Sequence, residues 1–399
     1  MSKALVRAAA LAVFVGGLQV APAGHALVNK MFVFGDSLSD PGNAAAMTVV
    51  GPGQSFFPPS QPSPVPGLGI PYDYRFSNGP VAFEYLAGYL GIAPSLPAWP
   101  ASPANSNPNF AVGGAMSGVG PTQTPPISPP FPPVPIALPP GTQGLCCNFN
   151  WLVDSPAGLQ VGFPAVNLTG LNNQVDLFKS RLIAGAIPPF DPETTLFAVW
   201  GGPNDIFLAL ALVDALGLTG ADAALVLSSY AANAALNIGM RIGELALLGG
   251  KHFLVPNMPN MGATPFADDA GLIPELTGLS MLFNTVLDGT LDTLRASFGL
   301  DIIEFDTFAA LDNLIAGGTF PITGDPCLDT SSPATIAASI PTILAGCPGY
   351  LFFDGVHPTT ATAQILAQQF YSAIPEPGSI ALLAAPLLLL GGLRRARRI

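Results

Sequence analysis

The amino-acid sequence predicts an α/β protein, a three-layer α/β/α sandwich around a central, mainly parallel sheet. Short apolar runs that end in glycine or turn residues alternate along the chain with longer segments of helical pattern, and this alternation is typical of parallel βα units. Hydrophobic residues make up 49% of the chain and charged residues 10%, with 44 glycines and 44 prolines. Such a composition indicates an apolar core connected by many uncharged loops.

The first predicted strand is MFVF, residues 31–34, which precedes Gly-Asp-Ser and a turn-forming run. Two proline-rich stretches follow at 51–71 and 121–140. Proline removes a backbone N–H and fixes φ, so neither stretch fits a regular helix or a central strand. We expect insertions or lids over a compact domain; a linker is the alternative, but helix-like and strand-like segments resume on both sides.

Between these stretches, SNGPVAFEYLAGYLGI predicts a helix, because a Ser-Asn-Gly turn and a proline precede its apolar positions. TLFAVWGG, at 195–202, is a buried strand that ends in glycines. The following predicted elements are a helix over 221–249, a strand in KHFLVPNMPNMG, a helix over 276–298, a strand in DIIEF and a helix over 358–371.

The start of the chain predicts export. Residues 1–26 combine a basic start, an apolar run and small residues before a cut, the pattern of a secretory signal peptide; an ordinary core helix is the alternative. The working domain then spans 27–373. The formal net charge of −12 repels phosphate backbones, and we therefore expect no nucleic-acid partner.

The last residues, 374–399, contain a Pro-Glu-Pro-Gly turn, an apolar run and four arginines. The apolar run is shorter than the ~20 residues of an ordinary spanning helix, although it could enter a bilayer, either transiently or as a permanent anchor. The three parts, in this order, resemble the PEP-CTERM sorting tail of Gram-negative bacteria. That resemblance implies cleavage near Pro375 by an exosortase-type enzyme, and a final location at the cell surface or in the extracellular matrix.

Four cysteines fit an oxidising compartment. Cys327 and Cys347 flank a loop and could pair with each other. A bridge between the neighbours Cys146 and Cys147 would be strained, so they pair elsewhere or at least one stays free. No C-x-x-C is present and no His, Cys and carboxylate cluster has metal-ligand spacing, so we expect neither a metal nor another cofactor.

Of the three histidines, His357 is the candidate general base. His25 lies in the predicted signal peptide, and His252 lies at the entrance of a strand, whereas sites in parallel sheets form at the carboxyl ends. Asp354 precedes His357 by three residues in DGVHP, with a glycine between them, so its carboxylate can reach Nδ1 and leave Nε2 facing a nucleophile. The alternative is that Asp354 caps the following helix.

Ser37 is the candidate nucleophile, because the Gly-Asp-Ser turn after MFVF presents its hydroxyl at the rim where His357 should lie. Capping of the next helix is the alternative role, and the absence of G-x-S-x-G counts against a nucleophile-elbow hydrolase. Two loops supply hydrogen-bond donors: NFAVGGAMSG offers backbone amides, and GGPND offers the side chain of Asn204. Either loop taken alone could be an ordinary turn.

These residues resemble the SGNH or GDSL hydrolases. Ser37 in FGDSLSDPGN matches the block that carries the nucleophile, whose own N–H also serves the oxyanion hole. Gly114 in NFAVGGA matches the second donor, with Gly113 a less favoured register, and Asn204 in GGPND matches the side-chain donor. Asp354 and His357 in DGVHPT match the final block.

The resemblance spans about 31–370 and implies a flavodoxin-like sandwich. Segments such as VPNMPNMGATP and DPCL are similar to the phospholipase, lecithinase, haemolysin and plant-lipase branch. The resemblance implies hydrolysis of a small-molecule or lipid carboxylic ester without a metal. Two alternatives remain at this stage: removal of O-acetyl groups from extracellular polysaccharide, and a non-catalytic matrix protein on a hydrolase scaffold.

Overall fold

The computed structural model describes residues 28–47, 49–51, 54–55, 74–99, 105–118 and 170–375. One compact unit spans Val28–Ala373. The predicted signal peptide, most of the 51–71 stretch, all of the 121–140 stretch, Cys146 and Cys147, and the sorting tail beyond 375 lie outside the described residues.

The central sheet contains six strands in the order β4-β5-β1-β6-β7-β8, and every neighbouring pair is parallel. The strands in the described residues are β1 Lys30–Gly35, β2 Val49–Gly51, β3 Gln54–Ser55, β4 Leu96–Pro97, β5 Pro108–Asn109, β6 Thr195–Trp200, β7 His252–Pro256 and β8 Asp301–Phe305. Strands β2 and β3 form a separate antiparallel pair, so the start of the first proline-rich stretch stays out of the central sheet.

Helices connect these strands. The α-helices in the described residues are α1 Asn43–Met47, α2 Ala82–Tyr89, α3 Leu171–Ile183, α4 Pro203–Ala215, α5 Gly220–Leu247, α6 Pro265–Asp269, α7 Ile273–Phe298, α8 Thr307–Ala316, α9 Pro333–Leu344 and α10 Thr360–Ala373. By length and composition α5 could cross a membrane, but one of its faces, including Ala231 and Ile238, is buried in the core.

Helices cover both faces of the sheet. Side chains alternate between the two faces of a strand, and on one face the ring of Phe32 in β1 lies 5.0 Å from that of Phe178 in α3, between ring centroids. On the other face the Trp200 ring lies 6.2 Å from Phe83 in α2 and 5.9 Å from Phe370 in α10. The predicted three-layer α/β/α sandwich is confirmed.

The order β5-β1-β6-β7-β8 is the flavodoxin-like order, in which strand order reverses between the first strand and the third. In this protein the reversal lies between β1 and β6, which pair in register from Lys30 opposite Thr195 to Gly35 opposite Trp200. The segments that leave these two strands therefore emerge side by side.

Helix boundaries differ from the sequence expectations in two informative places. The last helix begins at Thr360 rather than 358, because the hydroxyl of Thr359 accepts the N–H of Thr362 at 3.3 Å and caps the helix. Asn204, expected in a loop, lies in the first turn of α4, which starts at Pro203. Proline suits a first helical position because its missing N–H would have no partner there.

A disulfide joins Cys327 and Cys347, a pairing that the sequence left open. It brackets α9, and both sulfurs belong to a small apolar cluster that includes Phe353. The N–H of Cys327 donates to the carbonyl of Phe352 at 3.0 Å. The bridge therefore braces the chain that leads into Asp354.

Candidate active site

The turn that carries Ser37 begins where β1 ends. A Cβ on Gly35 would lie 2.3 Å from the backbone oxygen of Trp200 in β6, so only glycine fits at this point. The next residue, Asp36, is buried, and its Oδ1 accepts the N–H of Leu38 at 3.0 Å across the turn. The hydroxyl of Ser37 consequently lies at the carboxyl edge of the sheet, where doubly wound sheets bind ligands.

The cap of α1 is formed by Asp40 and not by Ser37. Oδ1 of Asp40 accepts the N–H groups of Gly42 at 2.7 Å and Asn43 at 2.6 Å, and Oδ2 accepts that of Ala44 at 3.0 Å. These are the orphan donors at a helix start that a carboxylate satisfies well. The capping role considered for Ser37 thus belongs to another residue.

Asp354 bonds to the backbone and to the imidazole of His357. Its Oδ1 accepts the N–H of Val356 at 3.0 Å and that of His357 at 2.8 Å. The same carboxylate lies 2.9 Å and 2.8 Å from Nδ1 of His357, measured to Oδ1 and Oδ2. Asp354 therefore fixes the loop and the orientation of the ring together.

Nε2 of His357 lies 2.8 Å from Oγ of Ser37. A carboxylate at Nδ1 requires a proton there, so in the neutral imidazole Nε2 is the acceptor and the Ser37 hydroxyl is the donor. The chain brings serine, histidine and aspartate into one hydrogen-bonded series, from positions separated by 320 residues between Ser37 and His357.

The electrostatic surroundings of His357 and Asp354 favour the charged forms of both side chains. Burial alone would lower the pKa of His357, but the charge and hydrogen bond of Asp354, with a further contribution from Asp36, raise this pKa above its usual value. Burial would likewise raise the pKa of Asp354, and the interactions with His357 outweigh it, so that pKa is lowered. Burial raises the pKa of Asp36 itself to about 7.

The glycine pair after β5 forms a tight turn. The N–H of Ala115 donates to the carbonyl of Val112 at 3.0 Å, and Gly114, the third residue of the turn, has φ of 77°. A positive φ at this position is the pattern of a type II turn and favours glycine. The N–H of the third turn residue makes no bond within the turn, so it can serve an acceptor outside the turn.

Gly113 is constrained on two sides. Its N–H donates to Oδ2 of Asp40 at 2.8 Å, and a Cβ at this position would lie 1.9 Å from the ring of Phe76. The Gly113 amide is therefore already engaged, which leaves Gly114 as the candidate donor of the two.

Asn204 lies near the same turn. Its Nδ2 donates to the carbonyl of Ala115 at 3.0 Å, and because an amide group carries two N–H bonds, one hydrogen remains for another acceptor. Gly202, just before it, has φ of 118°, and a Cβ there would lie 2.6 Å from the Phe283 ring. Glycine thus permits the sharp turn into α4 on which the position of Asn204 depends.

A small apolar pocket lies beside Ser37. The ring of Phe76 forms part of its wall and lies 5.3 Å from the imidazole of His357, between centroids. The lining residues are Ser37, Leu38, Phe76, Ser77, Val81, Ala82, Trp200, Pro358, Ala363 and Leu366. Ser37 itself is one of the residues that line this pocket.

His252 lies at the start of β7, away from this edge of the sheet, and its Nδ1 is 2.9 Å from Oδ2 of Asp301. His25 lies outside the described residues. Within the described ranges no group of three or more His, Cys, Asp and Glu side chains is arranged to hold a metal ion.

The sequence reasoning missed four residues near the site: Asp36, Asp40, Phe76 and Asp205. Asp36 and Asp40 flank Ser37 in GDSLSDPGN, and Asp205 follows Asn204 in GGPND. A buried aspartate next to a candidate residue in a short motif was the available signal. Phe76 had none, since its neighbours in the fold are distant in sequence.

Comparison with known proteins identifies the family of the chain. A profile of the GDSL-like lipase/acylhydrolase family matches residues 31–370. The chain belongs to this family. It is similar to "Acetylajmalan esterase 2" of Rauvolfia serpentina, with 25% identity over 85% of this chain and 88% of that protein. It is also similar to "GDSL esterase/lipase EXL2" of Arabidopsis thaliana, with 24% identity over 86% of each. As a GDSL-like lipase/acylhydrolase, the protein is a carboxylic ester hydrolase.

Proposed function

We propose that this GDSL hydrolase cleaves carboxylic esters with Ser37 as nucleophile, His357 as general base and Asp354 as the partner of the histidine. The observation that carries the proposal is the 2.8 Å contact of Ser37 Oγ with His357 Nε2, backed by the Asp354 carboxylate at Nδ1. A nucleophile, a base and an orienting acid within hydrogen-bond reach are the requirements of acyl transfer.

The reaction runs in two halves. His357 takes the proton of Ser37 as its oxygen attacks the ester carbonyl, and it then gives that proton to the departing alcohol. The negative oxygen of the tetrahedral intermediate accepts hydrogen bonds from the amides of Ser37 and Gly114 and from Nδ2 of Asn204. Water activated by His357 then releases the acid from Ser37.

The test uses a fluorophosphonate probe and a short-chain nitrophenyl ester. The full chain should become labelled at Ser37, and Ser37→Ala should lose both labelling and turnover. Asn204→Ala should keep the melting temperature while kcat falls by about 10²- to 10³-fold, which corresponds to ~3 kcal/mol of transition-state stabilisation. Turnover by Ser37→Ala would contradict the assignment, and an unlabelled wild-type protein would favour a non-catalytic matrix role.

The proposed substrate class is a carboxylic ester with an apolar acyl group, of the lipase, esterase or phospholipase type. Apolar side chains, among them Leu38 and Phe76, lie next to Ser37, and two relatives that cover most of the chain are plant proteins named as esterases. A second candidate is deacetylation, because one relative is named for an acetyl ester, and the predicted sorting tail at 374–399 favours extracellular polysaccharide as the acetylated substrate. A series of nitrophenyl esters from acetate upward, beside acetylated polysaccharide, separates the two.

We also propose that the protein is exported and sorted through its two ends. The basic and apolar start at 1–26 and the Pro-Glu-Pro, apolar and arginine segments at 374–399 support this proposal. Mass spectrometry of the protein from its native host tests it: mature termini near 27 and 375 are expected, and an intact full-length chain in the cytoplasm would contradict it.

A further inference from the structure

The segment 113–117 carries the Gly114 amide, and its conformation is not held by a strand. Strand β5 ends at Asn109, and the turn at Gly113 and Gly114 is formed by the residue type with the greatest backbone freedom. An oxyanion donor works only if it is fixed before the reaction, to within about 0.5 Å of its productive position. The rigidity of this segment therefore has to come from its neighbours.

One end of the segment is bonded to Asp40. This carboxylate accepts four backbone N–H groups, two on each oxygen: Oδ1 accepts those of Gly42 and Asn43, and Oδ2 accepts those of Ala44 and Gly113. Three of the donors belong to the start of α1, directly after the Ser37 turn. A single side chain thus ties the nucleophile's turn to the residue before Gly114.

The other end is bonded to Asp205, in the first turn of α4. Oδ2 of Asp205 accepts the N–H of Ser117 at 2.9 Å, and Oδ1 accepts the Ser117 hydroxyl at 2.8 Å. The adjacent Asn204 donates to the carbonyl of Ala115 between the two ends. The helix that presents one oxyanion donor therefore also holds the segment that presents another.

Both carboxylates are more buried than a helix cap or a turn requires. Asp40 is 0% exposed and Asp205 is 5% exposed, and burial raises the pKa of each to about 6. Burying a carboxylate costs free energy that its hydrogen bonds only partly offset. A cost of this kind at two carboxylates that bind the same short segment is the pattern of a site held for function.

We propose that Asp40 and Asp205 are positioning residues of the hydrolase, whose carboxylates hold the two ends of the 113–117 segment and thereby fix the Gly114 N–H toward the oxyanion. The proposal rests on the proposed function of Ser37 and Gly114. It assigns to the two aspartates a role through backbone geometry, with no contact to substrate.

The test compares Asp40→Asn and Asp205→Asn with the wild-type full chain. Each change keeps the shape but puts an NH₂ group where an acceptor stood, facing a backbone or hydroxyl donor. We expect kcat to fall by about tenfold to a hundredfold, less than or similar to the loss of one donor, with KM changed by less than about threefold. Affinity for a trifluoromethyl ketone, which forms a tetrahedral adduct on Ser37, should fall by the same factor as kcat.

Leu291→Ala is the matched control. Leu291 is buried in α7 within the main core cluster, so its truncation lowers the melting temperature without touching the segment. It should leave kcat and ketone affinity unchanged. Should Asp40→Asn fail to fold, Asp205→Asn and the milder Ser117→Ala still report on the segment.

The outcomes separate the two proposals. Variants with a lowered melting temperature but wild-type kcat and ketone affinity would overturn the positioning role and leave the triad intact. A wild-type chain that neither reacts with fluorophosphonate nor hydrolyses esters would instead refute the proposed function itself.

Discussion

His357 receives opposing influences from its surroundings, and their sum decides at which pH the residue can act. The Asp354 carboxylate contacts Nδ1, and Asp36, in the turn beside Ser37, adds a second negative charge nearby. Both charges favour imidazolium, whereas burial favours the neutral ring. The outcome is a pKa of His357 above the usual 6.5, which stabilises the imidazolium formed in the proposed mechanism.

We expect kcat/KM to fall with acidification through a midpoint above about 6.5, because only the neutral imidazole can take the Ser37 proton. Asp354→Asn should move the midpoint of the residual activity to lower pH, since the favourable charge at Nδ1 is gone. The measurement is a pH–rate profile with a short-chain nitrophenyl ester. Asp301→Asn, beside the distant His252, is the matched control, and an Asp354→Asn midpoint equal to that of wild type would contradict the argument.

At the scale of elements, the sequence was most informative where strands are short, apolar and buried. DIIEF coincides with β8, and every residue of TLFAVW in β6 is buried. The first turn of α4 was missed, because Gly-Gly-Pro-Asn has the composition of a turn, and only packing shows that Pro203 opens a helix. A local sequence pattern does not contain the tertiary packing that determines where such a helix begins.

The residues of the candidate site also divide into those that short motifs indicate and those that only the assembled fold brings together. Ser37, His357 and Asp354 were accessible from short motifs and from the rule that sites lie at the carboxyl ends of parallel strands. The preference for Gly114 over Gly113 as the proposed donor rested on resemblance alone, and the bond from the Gly113 N–H to Asp40, across 73 residues of sequence, supports it on physical grounds. Contacts of that kind depend on the assembled fold.

The disulfide gives a prediction about the loop that ends in His357. Cys327→Ser should lower the free energy of unfolding by roughly 3 kcal/mol, because it opens a loop closed over a sequence separation of 20 residues. It should also lower kcat, since the backbone bond from Cys327 to Phe352 braces the approach to Asp354. The measurements are denaturant unfolding and ester hydrolysis.

A reducing agent supplies the control for the disulfide. It should reproduce both effects in the wild-type chain and have a much smaller effect on Cys327→Ser. Equal stability of the oxidised and reduced wild-type protein would contradict the prediction.

At the scale of the whole molecule, three buried carboxyl groups lie at the carboxyl edge between β1 and β6. Asp36 and Asp40 follow β1, and Asp205 follows β6, and all three are almost inaccessible to water. The chain as a whole carries a formal net charge of −12, so overall self-repulsion also grows as carboxyl groups ionise. We therefore expect stability to fall as the pH rises, whereas activity should rise because it requires neutral His357.

We expect the protein to be more stable near about pH 5 than near about pH 8, by several degrees in melting temperature. Burial raises the pKa of Asp36 to about 7 and the pKa values of Asp40 and Asp205 to about 6. An unfolded aspartate has a pKa of about 3.9, so between about pH 4 and pH 7 the native state holds protons that the unfolded chain has released, and stability is lost as the pH rises. The raised pKa of His357 acts in the same direction, whereas the lowered pKa of Asp354 affects stability only in stronger acid.

Scanning calorimetry across this range tests the prediction, with Asp36→Asn as the variant in which the melting temperature should depend less on pH. A melting temperature that climbs steadily toward pH 8 would contradict the prediction. Activity requires neutral His357, so the pH that favours the fold most should be one at which the enzyme turns over slowly.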